Sequence, residues 1–247
     1  MLRWKRINRI TDFVTRTKVG ETFRVNYDEV KLTLSHANPQ LRSRNKSFAT
    51  KEPETLGWIR NFSKHEVFWD IGANVGLYSI YAAHRGARVY SVEPSVFNLE
   101  FLVRNICLNQ VADRITILPI AVGTPTVCFE SMHLSSSAWG DSGNSFGDLD
   151  VGRSGPNRFA YSYKIPGFPI DDLVGKLGVA LPDHIKIDVD GIESEIIESG
   201  RATFSTVKSV LVEIPAYDGA AERIYRILTN SGLRLQQVAR RNQIWIR

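Results

Sequence analysis

The chain has 247 residues, 43% of them hydrophobic and 23% charged, which is enough for one large domain or one domain with an extension. The net charge of +5 is mostly interspersed with acids, which argues against a long nucleic-acid-binding stripe, so no nucleic-acid partner is expected. No run approaches the roughly 18 apolar residues of a membrane helix, and the opening MLRWKRINRI lacks the core and cleavage site of a secretory signal.

Residues 3 to 18 are the basic exception, with Arg3, Lys5, Arg6, Arg9, Arg16 and Lys18 against Asp12. Leu2, Ile7, Ile10, Phe13 and Val14 can share one helix face there. Two readings stand. The preferred one packs this face on its own domain or on a second subunit, the latter giving a homo-oligomer; the other lays it on an anionic membrane. The two cysteines, Cys107 and Cys128, have no metal or redox spacing. Reduced thiols in a cytoplasmic protein, membrane-peripheral under the second reading, are the simplest expectation.

TFRVNYDEVKLTLS alternates as a hairpin turning near Asn26 and Asp28, and KEPETLGWIRNF reads as a short helix with Pro53 in its first turn. From Val67 strands alternate with helices: VFWDIG, LYSIYAAHRG, RVYSVEP, VFNLEFLVRNICLNQ, then the strand ITILPIAVG. Residues 131–168, rich in Ser, Gly and Asn, break the rhythm and read as a functional insertion. The alternation resumes with PIDDLVGKLG (helix), HIKIDVDG (strand), IESEIIESGRATF (helix), VKSVLVEIP (strand) and AERIYRILTNSG (helix). LRLQQVAR and QIWIR close the chain as two antiparallel strands joined by a turn around Arg241 and Asn242. The expected fold is α/β: a mostly parallel, seven-stranded, Rossmann-like sheet covered by helices on both faces, with an antiparallel last strand. Residues 1–50 form an N-terminal helix and hairpin extension, and residues 51–247 the main domain carrying the insertion.

Right-handed crossovers gather the strand-to-helix loops at one sheet edge, where Asp70–Gly76, Glu93, Ala121–Gly123, Asp188–Gly191 and Glu213 then converge. Gly72 and Gly76 permit a sharp turn and close approach of a ligand. Their spacing is G-x-x-x-G, with Ala73 and Asn74 where a dinucleotide fingerprint has its second glycine, and no lysine follows as in a P-loop. Such a loop suits a nucleoside without a phosphate chain. Glu93, seventeen positions after Gly76, is placed to accept both ribose hydroxyls. Asp70 orients the loop amides, reaches the ligand's far end, or caps the loop as a buried acid.

DIGANVGLYS, VEPS, LPIAVG, PIDDLV and IKIDVDGIESEII…VLVEIP together resemble the successive motifs of the FkbM-type methyltransferases, over about Glu52 to Pro215. The resemblance implies a class I S-adenosylmethionine-dependent enzyme that transfers a methyl group to a hydroxyl of a saccharide, glycolipid or natural product. It implies that Asp70, Gly72, Ala73, Asn74, Gly76 and Glu93 contact the cofactor, that Ala121 and Val122 flank its adenine, and that Glu54 helps close the pocket. Asp190 departs from the family, which more often has glutamate there.

An alcohol nucleophile needs a general base, and the ends of two strands offer Lys186, Asp188 and Asp190, and Glu213. One carboxylate serves as base, or Asp188 and Glu213 hold Mg²⁺, which acidifies the hydroxyl; the bland alternative is that Lys186 is a structural ion-pair partner and Asp190 a helix cap. His133 is a lesser base candidate. Trp139, Phe146, Tyr161 and Tyr163 either wall a sugar site or pack the insertion down. A nicotinamide-dependent oxidoreductase and a non-catalytic nucleoside-binding module are the competing functions.

Overall fold

The computed structural model describes residues 20–147, 159–189, 191–215 and 219–247. The basic segment 3–18, part of the insertion and Asp190 lie outside the described residues, and with them the expectations placed on them. The chain begins with a hairpin, β1 (Thr22–Tyr27) and β2 (Val30–Ser35), whose two-residue turn places Asp28 and Glu29 at positive φ. Helix α1 (Pro39–Lys51) follows, and it is absent from the sequence reading above. Its start has a clear local cause: Asn38 is extended and its side chain accepts the Leu41 N–H at 2.8 Å, and Pro39 supplies a pre-set φ at the first helical position. Only Leu41, Asn45 and Phe48 of α1 are buried, so its apolar periodicity is too sparse to stand out.

The main sheet has the order β12-β13-β11-β10-β3-β4-β5. Its strands are β3 (Val67–Ile71), β4 (Arg88–Val92), β5 (Ile115–Leu118), β10 (His184–Ile187), β11 (Ser209–Glu213), β12 (Arg234–Ala239) and β13 (Asn242–Ile246). The first five are mutually parallel, and β13 runs antiparallel to both β11 and β12. This is the expected sheet, except that the final turn is Arg240–Arg241. One face carries Phe68 and Val89 against α2 (Pro53–Arg60), α3 (Leu77–His84) and α4 (Val96–Asn109). The other carries Trp69, Ile71 and Ile185 against α5 (Ile170–Gly175), α6 (Glu193–Glu198), α7 (Arg201–Phe204) and α8 (Ala220–Asn230). Each large side chain buried this way contributes about 1.5–3 kcal/mol.

The structure refines two expected elements. ITILPIAVG divides into β5 and β6 (Ala121–Val122), and β6 belongs to a separate four-stranded sheet, β6-β9-β7-β8. The insertion supplies most of that sheet: β7 (Cys128–Leu134), β8 (Ser145–Phe146) and β9 (Tyr161–Phe168). IESEIIESGRATF is two short helices broken at Ser199–Gly200, where a Cβ on Gly200 would meet Ile170 at 2.5 Å. The hairpin is fastened to α4 by two asparagines. Asn105 Oδ1 accepts the Ser35 N–H and Asn109 Oδ1 the Thr33 N–H.

Candidate functional site

The loop after β3 turns back on the sheet, and the Gly72 and Ala73 N–H groups both donate to the Val92 carbonyl. Gly72 and Gly76 have φ of +79° and +83°, as a sharp turn demands. The close approach they permit is to the protein itself. A Cβ on Gly72 would lie 2.0 Å from the Asp188 carbonyl oxygen, and one on Gly76 2.3 Å from Leu102 Cδ1. The loop is thereby pressed between the end of β10 and helix α4.

Glu93 follows β4 and is 4% exposed. Its carboxylate accepts the N–H groups of Asn74 and Ser95, each at 2.8 Å. Burial nevertheless pushes its pKa up to about 7, against the pull of those hydrogen bonds. Asn74 and Asn98 also reach outward: both side-chain amides donate to the Asp141 carbonyl, at 2.9 and 3.2 Å. Arg44 Nε on α1 donates to the Gly140 carbonyl and Asn38 to that of Trp139. The segment Trp139–Asp141 of the insertion is thus strapped across the glycine loop by side chains from three elements, a role the sequence did not signal. Trp139 packs on Phe101 with ring centroids 4.8 Å apart, Phe146 joins the small sheet's core, and Tyr163 donates to the Pro94 carbonyl. These three aromatics pack the insertion down; Tyr161 is exposed, and His133 hydrogen-bonds Ser162 on the same sheet.

Three adjoining cavities meet at Gly72. The first is apolar, lined by Ile71, Val92, Ala121, Val122, Ile192 and Ile196 among others. The second joins it at Pro94, Met132, Asn144 and Val189, and carries Glu93, Asn98 and Asp141. The third shares Asn74 and Asp188 with the second and is edged by charges of both signs: Arg44, Lys51, Glu52, Lys186 and Asp188. Of the sequence-selected residues, Gly72, Ala73, Asn74, Glu93, Ala121, Val122, Lys186 and Asp188 line this chain of cavities. Glu54 does not. It accepts a hydrogen bond from Asn242 on β13 at 2.8 Å, and it is Glu52, at the α1–α2 junction, that faces the cavity.

Beneath the third cavity lies a buried ionic cluster. The parallel pairing of β10 with β3 sets Lys186 beside Asp70. Lys186, 2% exposed, places Nζ 2.9 Å from Asp188 Oδ2, 4.0 Å from Asp70 Oδ1 and 5.2 Å from the centre of the Tyr78 ring. Burial alone would lower the lysine's pKa, but Asp188, Asp70 and Glu52 together raise it, so it stays charged. Asp70 Oδ2 accepts the Ser79 hydroxyl at 2.6 Å, Oδ1 has no hydrogen-bond partner, and burial raises this acid's pKa. Asp70 thus serves the interior of α3 and the lysine.

Asp188 behaves oppositely. Burial would raise its pKa, but Lys186 and a hydrogen bond from Glu213 outweigh that and hold it well below the carboxylate range. Glu213, at the end of β11, is raised to about 8 by burial and by sharing a proton with Asp188, despite Arg241 at 3.3 Å. The pair therefore holds one proton near neutral pH. Glu193 is a residue whose local part the sequence left unread: buried, it accepts the Val189 and Gly191 N–H groups and braces the loop that follows β10.

Among the described residues no group of three or more His, Cys, Asp and Glu side chains could hold a metal ion. Asp188 and Glu213 would offer a magnesium ion two carboxylates with an ammonium 2.9 Å from one of them, a donor set that does not fit a hard dication.

Comparison with known proteins now adds to this geometry. The Methyltransferase FkbM domain matches residues 70–235, about two-thirds of the chain. Hexuronic acid methyltransferase AglP of Haloferax volcanii is 29% identical over 162 residues, 64% of this chain; the chain spans 59% of that protein's length. Methyltransferase sdnD of Sordaria araneosa is 23% identical over 196 residues, covering 70% of this chain and 76% of that one. Magnesium protoporphyrin IX methyltransferase of Synechocystis PCC 6803, solved with bound SAM, superposes with a TM-score of 0.47 at 14% identity, over 85% of this chain and 84% of that one. The sheet order with its antiparallel β13 and the match over residues 70–235 lead to one conclusion: the chain belongs to the FkbM methyltransferase domain family and has the class I methyltransferase fold.

Proposed function

We propose that this protein is an S-adenosylmethionine-dependent O-methyltransferase that methylates a hydroxyl of a saccharide-containing or related small-molecule acceptor, with residues 51–247 as the catalytic domain and residues 1–50 as its extension. The observation that carries this reading is the succession of cavities around Gly72: apolar, then carboxylate-bearing, then mixed in charge. An adenine, a ribose and a zwitterionic amino-acid tail have that same succession of chemistries. The similarity to a hexuronic acid methyltransferase supports a sugar acceptor.

On this reading Ala121 and Val122 flank the adenine, and Glu93 accepts the ribose hydroxyls with lone pairs its two amide donors leave open. The backbone of Gly72, Ala73 and Asn74 borders the tail; Arg44 and Lys51 take its carboxylate, and Glu52 its ammonium. Gly76 serves by packing on α4. The bound cofactor supplies an activated methyl on a sulfonium. With the cofactor bound, the methyl would pass from sulfonium to the acceptor oxygen, its S–C bond breaking to leave a neutral thioether; Asp188 would take the hydroxyl proton, and Glu213 would tune that carboxylate through their shared proton. Lys186 is a positioning residue that keeps Asp188 ionised.

Isothermal titration tests the reading. S-adenosylmethionine and S-adenosylhomocysteine should bind and NAD should not. Methylthioadenosine, which lacks the amino-acid tail, should bind more weakly than the homocysteine compound, and the K51A/E52Q double variant should erase that difference. Preferential NAD binding would restore the oxidoreductase alternative; cofactor binding with no methyl release to any acceptor would restore the binding module.

A further inference from the structure

Next to the α1 end of the third cavity lies a feature that the cofactor reading leaves without a task. Strands β12 and β13 are joined by the two-residue turn Arg240–Arg241. Such turns favour Asn-Gly, because the chain must enter the left-handed region. Here Arg240 occupies that region at φ +56°, a conformation that costs a non-glycine residue about 1 kcal/mol or more. The turn is held against the site from two sides. The Arg241 carbonyl accepts the Ile214 N–H at 2.8 Å, Arg241 Nε donates to the Ile214 carbonyl at 2.9 Å, and the Arg241 guanidinium lies 3.3 Å from Glu213. Arg240 Nη1 lies 3.4 Å from the Lys51 carbonyl, at the end of the helix that lines the cavity. Both arginines are exposed, and Arg240 has no carboxylate partner among the described residues. One guanidinium thus stands beside Glu213 and the other at the end of α1, where Lys51 lines the third cavity.

We propose that the Arg240–Arg241 turn is the acceptor-recognition element and that the acceptor carries an anionic group, a carboxylate or a phosphate, near the hydroxyl that is methylated. This rests on the methyltransferase reading of the same site. Adjacent guanidinium forks match planar or tetrahedral oxyanions by paired hydrogen bonds, which a lysine or a neutral side chain cannot reproduce. A strained arginine in place of glycine is what a turn retains when the side chain is needed more than the relaxed backbone.

The test uses the full-length protein loaded with S-adenosylhomocysteine and a panel of uronic acids, sugar phosphates and their neutral hexose counterparts, with binding measured at low and high salt. The best anionic ligand should bind at least about fivefold more tightly than the best neutral one, and the preference should shrink at 0.5 M salt, where the Debye length falls to about 4 Å. The uronic and phosphate arms identify which oxyanion is recognised. Arg240→Gly relieves the positive φ, so it should unfold at the same or higher denaturant, hold S-adenosylhomocysteine unchanged and lose the anionic preference; Arg240→Lys should restore part of it. A neutral sugar as best ligand, or an anionic preference that survives in Arg240→Gly, overturns the proposal. Failure of the loaded complex to form overturns the cofactor reading instead, and this proposal with it.

Discussion

A methyl group at Gly72 would have to occupy space 2.0 Å from the carbonyl oxygen of Asp188, on a backbone whose φ of +79° already disfavours a side chain. At Gly76 the obstacle is Leu102 Cδ1, the far end of a side chain that can rotate away. Gly72→Ala should therefore destabilise the fold by about 3 kcal/mol or more, and Gly76→Ala by about 1–2 kcal/mol. Equilibrium urea unfolding measures both, and equal losses would show that the backbone contact at Gly72 yields. Lys186 invites a second prediction. Lys186→Met leaves Asp70 and Asp188 buried without their cation, at a cost of about 3–5 kcal/mol near neutral pH. Both acids would then have folded pKa values above their unfolded ones. The loss should shrink as pH falls toward 4 and the acids protonate, and thermal melts across pH would show it. At the same scale, Glu213 remains protonated below about pH 8 and hydrogen-bonds Asp188, which weakens that carboxylate as a base. Methyl transfer should rise with pH and level off above about 8, and Glu213→Gln should remove the inflection; an unchanged profile would take Glu213 out of the chemistry.

Helix α1 and the strap Trp139–Asp141 lie farthest from what the sequence displayed. The α1 start was written in Asn38-Pro39, a cap followed by a first-turn proline, but a helix with three buried residues gives little periodic signal. Arg44 and Lys51 could not be assigned to the site until that helix was seen to line it. The strap is an irregular segment whose backbone carbonyls are claimed by Asn38, Arg44, Asn74 and Asn98, and no pattern in its own residues announces such contacts. The mis-assignment of Glu54 has a related origin. Two glutamates flank Pro53, and only the turn from α1 into α2 decides that Glu52 faces the cavity while Glu54 meets Asn242. Because Asp141 of the strap lines the cavity that carries Glu93, Asn98→Ala should speed dissociation of S-adenosylhomocysteine and raise hydrogen exchange in residues 135–146. Stopped-flow release and exchange mass spectrometry would measure this, and unaltered release would mean that the strap does not gate the cavity.

The whole molecule combines acids shifted in opposite directions, which shapes its stability against pH. Glu93 at about 7 and Glu213 at about 8 stand above the ordinary value of 4.5, so the folded protein binds protons the unfolded chain has released, and their contribution declines as pH rises through that range. Glu66 is the reverse. Burial would raise it, but Lys208 and His184 bring it to about 2, and Asp188 is likewise depressed. The stability from these two is present above about pH 4.5 and lost in acid. Without added cofactor, the melting temperature should peak between about pH 4.5 and 7 and fall on both sides. A maximum above pH 8 would contradict the shifts assigned to Glu93 and Glu213.

The order of the main-sheet strands from Val67 onward, the seven-stranded sheet and the loop residues that meet at its edge were legible in the chain, because a buried parallel strand must be an apolar run and each crossover must return on the same hand. Those are one-dimensional consequences of burial and chirality, so the sequence alone carried them. The partners of each charge were decided only by tertiary structure. Lys186, Asp70, Asp188 and Glu213 come from three strands, and the strength and protonation of each depend on distances and on the exclusion of water. The same holds for the Arg240–Arg241 turn, which lies beside Glu213 only because β13 pairs with β11 and carries the turn to the edge where Glu213 ends its strand.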